Sequence, residues 1–309
     1  MILVLNLNAS VDKRYMLDAL VPGTVMRAPA VSNTAGGKGL HVARVASLLG
    51  EETLTTGFLG GKSGEFIEER LRRVGLAGDF VKVAGETRAC LALLTRDGTQ
   101  TEILEPGPEI APEELAAFRG KYAALLARAD VVVASGSLPR GVPTGFYAAL
   151  IEKARAAGVP FLLDTSGAPL REGIGARPDF IKPNQEELAA LLGQPVDTEA
   201  DALRAARALS ARGVRLVCVS LGAAGSIACH EGRCYRVRVP KITCKNPVGS
   251  GDSFVAGAAI ALARGEDTQS ILRLAAACGT ANALEEESGY VRPETVRALL
   301  PQIEITPMD

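Results

Sequence analysis

Residues Ala129–Asp164 read ADVVVASGSLPRGVPTGFYAALIEKARAAGVPFLLD: an apolar run, a turn punctuated by glycine and proline, an alanine-rich helical pattern, then a second apolar run. Apolar runs of about four to six residues separated by a helix mark parallel strands buried on both faces. The alternation continues through EELAALLG, ADALRAARALSARG and LVCVSLG. The expected fold is therefore α/β, a doubly wound core with helices on both faces of a mostly parallel sheet. Ligands of such sheets sit beyond the carboxyl ends of the strands. SGSLPRG (135–141), DTSGA (164–168), KPNQEE (182–187) and SLGAAG (220–225) each follow a strand, so they should rim one site.

The first third differs. KRYMLDAL and TVMRAPAVSN are extended and interrupted by polar residues, and GETRACLALLTRDGTQTEILEPGPEI predicts a hairpin turning at Arg96–Thr99. These pieces, residues 11–35 and 86–106, read as two insertions into a single domain spanning 1–309. Together they predict a small separate β-sheet, a lid over the ligand site. Between them, GGKGLHVARVASLLG is a glycine turn feeding an amphipathic helix.

The net charge of −1 supplies no global field for DNA or anionic lipid, and 4% aromatics with no Trp leave no stacking platform. Neither nucleic acid nor a membrane is expected as a partner. The opening MILVLNLNAS reads as a short strand without the pattern of a signal peptide, and no apolar run approaches about 18 residues. A cytoplasmic location is the expectation. The six cysteines lack a C-x-x-C pair and have only His41 and His230 for company, so reduced packing thiols are expected. Cys90 alone stands out, by its neighbours.

Two glycine-rich helix mouths carry the chemistry. In NPVGSGDSF (246–254) the glycines admit a ligand close to the backbone, and a helix amino terminus offers N–H donors to an anion. Asp252 has two readings: an N-cap for a helix beginning at Ser253, or a base accepting a proton beside an anion hole. The residues alone leave both open. TAGGKG (34–39) is the second mouth; it is not a Walker A loop, and the opening strand carries no G-x-G-x-x-G fingerprint. One mouth with Lys38 and one with Asp252 favour an enzyme of phosphate chemistry. Asn184 and Glu187 in KPNQEEL have the spacing of a capping box.

TAGGKGLHVARVASLLG and KNPVGSGDSFVAG resemble the two signature segments of the ribokinase-like, or PfkB-type, carbohydrate kinases. The resemblance runs along nearly the whole chain through LNASVD, SGSLPRG, DTSGA, IKPNQEEL and VSLGAAGS, in order. It implies a three-layer αβα core with a β-sheet lid, ATP as phosphoryl donor and Mg2+. By the resemblance Asp252 is the catalytic base, and the backbone of Gly249, Ser250 and Gly251 through Asp252 forms the hole for the γ-phosphate. Asn184 and Glu187 would organise Mg2+ through water. Ser220, Gly222 and Gly225 would line the nucleotide, with Asn282 near the adenine.

Asp12, Gly36, Gly37 and Lys38 would meet the sugar. Arg27, Arg88 and Arg140 are the candidate ligands of a phosphate already on it, Arg88 foremost, because guanidinium forks suit such groups. The chain most resembles the branch containing tagatose-6-phosphate kinase and 1-phosphofructokinase. This implies a sugar-phosphate substrate, tagatose 6-phosphate first. The alternatives are 1-phosphofructokinase, 6-phosphofructokinase, a kinase of an unphosphorylated sugar or nucleoside, and a silent sensor on a kinase fold. His41 departs from the family's asparagine at a position that contacts the sugar in relatives. TRACLALL departs from the TRINVKL of 1-phosphofructokinases, whose lysine helps hold the sugar phosphate. Exposed lid edges predict a homodimer through the lid.

Overall fold

The computed structural model describes residues 1–308. One ten-stranded sheet crosses the molecule. From one edge, Ala77–Gly78, Thr53–Thr56, Ile2–Leu5, Val131–Ser135, Phe161–Asp164, Phe180–Ile181 and Leu216–Ser220 run parallel. Ser226–His230, Arg233–Arg238 and Glu304–Met308 add antiparallel strands at the far edge. The fold is three-layered α/β.

Strand side chains alternate between two cores. Leu3, Leu5, Val132, Ala134, Phe161, Leu163 and Val217 face one layer, which includes Phe118, Tyr147 and Leu209. Ile2, Val4, Val131, Val133, Leu162 and Cys218 face the other, against Val42, Val255, Ile260 and Leu272. Burial on both faces explains why these strands read as unbroken apolar runs. In the second layer the helix Ser250–Ala263 lies against Thr268–Ala283 at close range: a Cβ on Gly257 would come within 2.9 Å of Ala275 backbone. Alanine and glycine in both helices permit that approach. No helix among the described residues is long and apolar enough to cross a membrane.

A second, four-stranded sheet stands apart, in the order Ala30–Gly36, Ser10–Leu17, Arg88–Thr95, Gln100–Leu104. Val11 and Ala35 pack it on Leu40, Leu59, Ile67 and Phe80. Asp12, Cys90 and Ala92 lie on its opposite face by register.

The expectation of reduced thiols fails at one pair. Cys229 and Cys234 are joined by a disulfide, directly opposite each other in the hairpin of Ser226–His230 and Arg233–Arg238. The turn residues Glu231 and Gly232 both have positive φ (49° and 82°), the two-residue turn that fixes this register. A spacing of five acquires meaning only once the hairpin forms. Cys90, Cys218 and Cys278 are buried free thiols, and Cys244 is exposed. Denatured without reductant, the chain should titrate with four thiols, rising to six after reduction; six before reduction would contradict the bridge.

Candidate active site

Sheet order reverses between Ile2–Leu5 and Val131–Ser135: the chain builds one side of the sheet from the first strand and the other from the second. Loops leaving a reversal diverge and leave a crevice at the carboxyl ends. Asn6–Asn8, Gly136–Ser137, Thr165, Lys182–Asn184 and Leu221–Gly225 open onto it, as do the helix starts Lys38 and Ser250.

Asp164, the last residue of its strand and 3% exposed, organises the floor. Its carboxylate meets Lys38 Nζ at 3.3 Å and Lys182 Nζ at 4.0 Å, and it accepts from Ser135 Oγ at 3.3 Å. Burial alone would push this acid up, but the charges of Lys182 and Lys38 and the hydrogen bonds hold it below the ordinary carboxylate range. Lys38 is correspondingly raised, chiefly by Asp164, against the opposing effect of its burial and with further help from Asp252 and Glu187. Lys38, expected against the sugar, thus has its ammonium on Asp164 and within the field of Asp252 and Glu187. Lys182 lies beside the second mouth: a Cβ on Gly251 would come 3.1 Å from its Nζ.

At that mouth the helix begins at Ser250, with Gly249 as N-cap in the left-handed region (φ 84°) and no side chain capping it. Asp252 therefore stands inside the first turn, and the expected N-cap role at Ser253 is not realised. The Ser250 N–H donates to Pro247 O at 3.2 Å, and that of Ser253 to Gly249 O at 2.9 Å. Among the described residues the N–H groups of Gly249, Gly251 and Asp252 have no protein acceptor, and they lie together at this mouth. The Asp252 carboxylate, nearly buried, lies 2.7 Å from His41 Nδ1 through its Oδ2. His41, expected toward the sugar, is thus a partner of the acid.

Asn282, expected near the adenine, lies behind the glycine mouth. Its side chain is fully buried; Nδ2 donates to Val248 O (2.9 Å) and Ser250 Oγ (3.2 Å), while Oδ1 accepts from the Gly289 and Tyr290 N–H groups and Ser253 Oγ. It braces the glycine mouth against the turn at 288–290. Asn246 adds a second brace through Glu286 O and Ser288 Oγ.

Asn184 and Glu187 form the capping box in full: Glu187 N–H donates to Asn184 Oδ1 at 2.7 Å, and Asn184 N–H to Glu187 Oε2 at 2.9 Å. Asn184 also bridges to Ser220, which sets the 220–225 turn beside it. Gly225 is required there, because it has φ 94° and a Cβ would fall 2.2 Å from Val237 O.

On the lid side, Ser10 Oγ donates to Asp12 Oδ1 at 2.6 Å, and the Asp12 carboxylate lies across Gly36, where a Cβ would be 2.1 Å away. Burial, partly offset by Ser10, His41 and Arg88, raises this acid above its ordinary value. Gly37, with φ 115°, packs against the Asn6 amide. Arg88 donates from Nε and Nη2 to Asn8 O and from Nη1 to Glu105 O, so it is first a clamp between the two sheets. Arg140 donates to Gly107 O at 3.3 Å and is otherwise exposed, and Arg27 is exposed on the segment joining two lid strands.

Residues 5–295 match the family described as pfkB family carbohydrate kinase. The chain belongs to that family. Three solved structures resemble it over nearly their full length. Escherichia coli phosphofructokinase-2 in complex with potassium aligns with a TM-score of 0.91 at 26% identity, covering 97% of this chain and 98% of that one. A Staphylococcus aureus protein named provisionally as a phosphofructokinase gives 0.85 at 30% identity, covering 100% and 99%. A possible 1-phosphofructokinase from Thermotoga maritima gives 0.90 at 26%, covering 100% and 99%. The pfkB chain is a phosphotransferase acting on an alcohol group.

Lys182 and Asp164 were absent from the residues singled out in the sequence. The rule that ligands gather at carboxyl strand ends could have found both, since each ends or follows an apolar run. Asp164→Asn would leave two lysines facing a neutral amide in a mostly buried site. Breaking such a pair costs about 3–5 kcal/mol when both partners are buried, and the lower end applies because Lys38 is 45% exposed. With a depressed carboxyl, the stabilisation is present above the unfolded value of about 3.9 and lost as pH falls through the folded one. The melting gap between wild type and Asp164→Asn should therefore shrink below about pH 4; a gap that stayed constant would contradict the ion cluster.

Proposed function

We propose that the chain phosphorylates a ketohexose phosphate with ATP, converting tagatose 6-phosphate to the 1,6-bisphosphate as first choice. The observation that carries this reading is the second helix mouth, where Asp252 and the N–H groups of Gly249, Gly251 and Asp252, which have no protein acceptor among the described residues, lie beside Lys182 and within the field of Lys38. Asp252 Oδ1 takes the proton of the C1 hydroxyl as its oxygen attacks the γ-phosphorus in line. The Gly251 and Asp252 N–H groups and the two lysines offset the negative charge on the transferring group. Ser220, Gly222 and Gly225 would support the nucleotide. Glu187 keeps one carboxylate oxygen outside the capping box, a hard donor that fits Mg2+ retaining its water, with Asn184 beside it. When bound, Mg2+ would supply charge neutralisation at the phosphates.

On the lid, Asp12 and its neighbours on the same face would meet the sugar, and closure would exclude water. Ala92, on the Asp12 face, stands where 1-phosphofructokinases carry the lysine of TRINVKL, which disfavours fructose 1-phosphate. Fructose 6-phosphate is the second reading, favoured by the similar Escherichia coli phosphofructokinase-2, a structure of which is in complex with fructose-6-phosphate. Arg27, Arg88 and Arg140 remain the candidate phosphate ligands, with Arg88 acting through whatever donor capacity its clamp leaves.

Measuring ADP release across ketohexoses and their phosphates tests the substrate class; a free sugar or nucleoside outranking every sugar phosphate would overturn it. Asp252→Asn should retain the fold and nucleotide binding while turnover falls about 10²–10⁴-fold, and turnover like the wild type would sink the base assignment. A dimer through the lid is proposed from Val31 and Ile103, more than half exposed on the outer lid face. A monomeric mass at micromolar concentration would count against it.

A further inference from the structure

We propose that His41 is the positioning residue of the base: its Nδ1 holds Asp252 Oδ2, leaving Oδ1 for the acceptor hydroxyl, and the charge on the imidazole gates proton transfer. The inference rests on Asp252 being the base, and it goes beyond that reading by assigning the base a partner that titrates.

The geometry fixes the ring. His41 lies in the first turn of the helix Lys38–Leu48, opposite the first turn of Ser250–Ala263, with 2.7 Å between Nδ1 and Oδ2. Gly289 closes the ring from the side: a Cβ there would come within 2.5–2.6 Å of His41 Cβ, Cγ and Cδ2. Asn282 holds Gly289 in place through its N–H at 2.8 Å. Gly289 and Asn282 thus restrict the imidazole on that side and tie its position to the glycine mouth. Three charged groups face it. Asp252 comes from the opposing helix, Asp12 from the lid strand Ser10–Leu17, and Arg44 from one turn along its own helix, where it also pairs with Glu287 at 2.7 Å. The 288–290 turn presents backbone to it.

Neutral His41, with its proton on Nδ1, donates to Oδ2 and fixes the carboxylate rotamer. The hydroxyl proton passes to Oδ1 as the new O–P bond forms, and the bond to the leaving oxygen breaks with its electrons going to ADP. The proton then leaves Asp252 for solvent. Protonated His41 makes the same hydrogen bond, but now as an ion pair, so taking up a proton on Asp252 forfeits that attraction and transfer slows. Burial would lower the imidazole's titration, yet the hydrogen bond to Asp252 and the charges of Asp252 and Asp12 outweigh it, against Arg44, and place it above the ordinary value. Activity is therefore lost as pH falls through a value above about 6.5. An asparagine amide would make the same bond without a change of charge.

The test compares kcat and KM from pH 5 to 9 for wild type, His41→Asn and His41→Phe, using the sugar phosphate that ranks first in the panel. In His41→Asn the acid limb should move down by about one pH unit or more, with sugar KM within about threefold and kcat at pH 8 within about tenfold. His41→Phe should lower kcat about a hundredfold at pH 8 with a similar KM, and the gap should narrow toward pH 5, where wild type loses activity and the variant has no imidazole to protonate. Superimposable limbs for wild type and His41→Asn overturn the proposal. So does a tenfold rise in sugar KM with kcat and limb unchanged, which would make His41 a sugar contact.

A second measurement needs no substrate and no stable His41 variant. The chain has two histidines, so His230→Gln assigns the imidazole carbon–proton signals by NMR. Burial lowers His230, whereas His41 should titrate above about 6.5 and drop by about one unit in Asp252→Asn. A His41 titration indifferent to Asp252→Asn overturns the coupling. Coupling by NMR together with undiminished turnover in Asp252→Asn would instead remove the base assignment and leave the pair.

Discussion

The parallel pairing of Ile2–Leu5 with Val131–Ser135 is the constraint on which the site depends. Its register, Ile2 opposite Val131 through Leu5 opposite Ala134, brings two strands more than a hundred residues apart to end at one level. The order of the sheet reverses there, so the following segments run to opposite sides and leave a crevice between them. Every group with a chemical role is defined by its distance from that gap. The helices Lys38–Leu48 and Ser250–Ala263 start side by side on one face of the sheet, and Asp164 and Lys182 form the floor.

Electrostatics within the crevice resolve a tension in the composition. A chain of net charge −1 attracts phosphate only if its cations are concentrated and restrained. Asp164 does this by pairing with two lysines at once, which holds both ammonium groups at the floor of the crevice. The same low-dielectric setting makes each acid matter: Asp12 is raised by burial, Asp164 is lowered by its lysines, and Asp252 is bonded to a histidine. Environment separates three aspartates that look alike in the sequence.

Much of the fold was legible because buried parallel strands impose a composition that survives without context. VVVAS and FLLD could face nothing but packed layers on both sides. The antiparallel far edge was less legible, since Ser226–His230 and Arg233–Arg238 mix polar with apolar residues. The disulfide joining them was invisible to a search for close cysteine spacing. At the site, the glycine mouths and Asp252 stood out by motif, and so did Asn184 and Glu187. Arg88 and Asn282 stood out because their side chains suit ligands, but a motif does not show that both also donate to backbone carbonyls and so brace the structure around the site.

The sequence by itself determined the α/β class, the presence of two anion-seeking helix mouths and the family, because these rest on local periodicity and on short glycine turns. Tertiary structure alone decided which side chains are partners. His41 and Asp252 are 211 residues apart in the chain, and Lys38 and Asp164 are 126 apart. No local propensity encodes such distances. They are set when two helices pack on one face of a sheet whose strand order has already reversed, and that packing turns a histidine at one glycine mouth into the neighbour of the aspartate at the other.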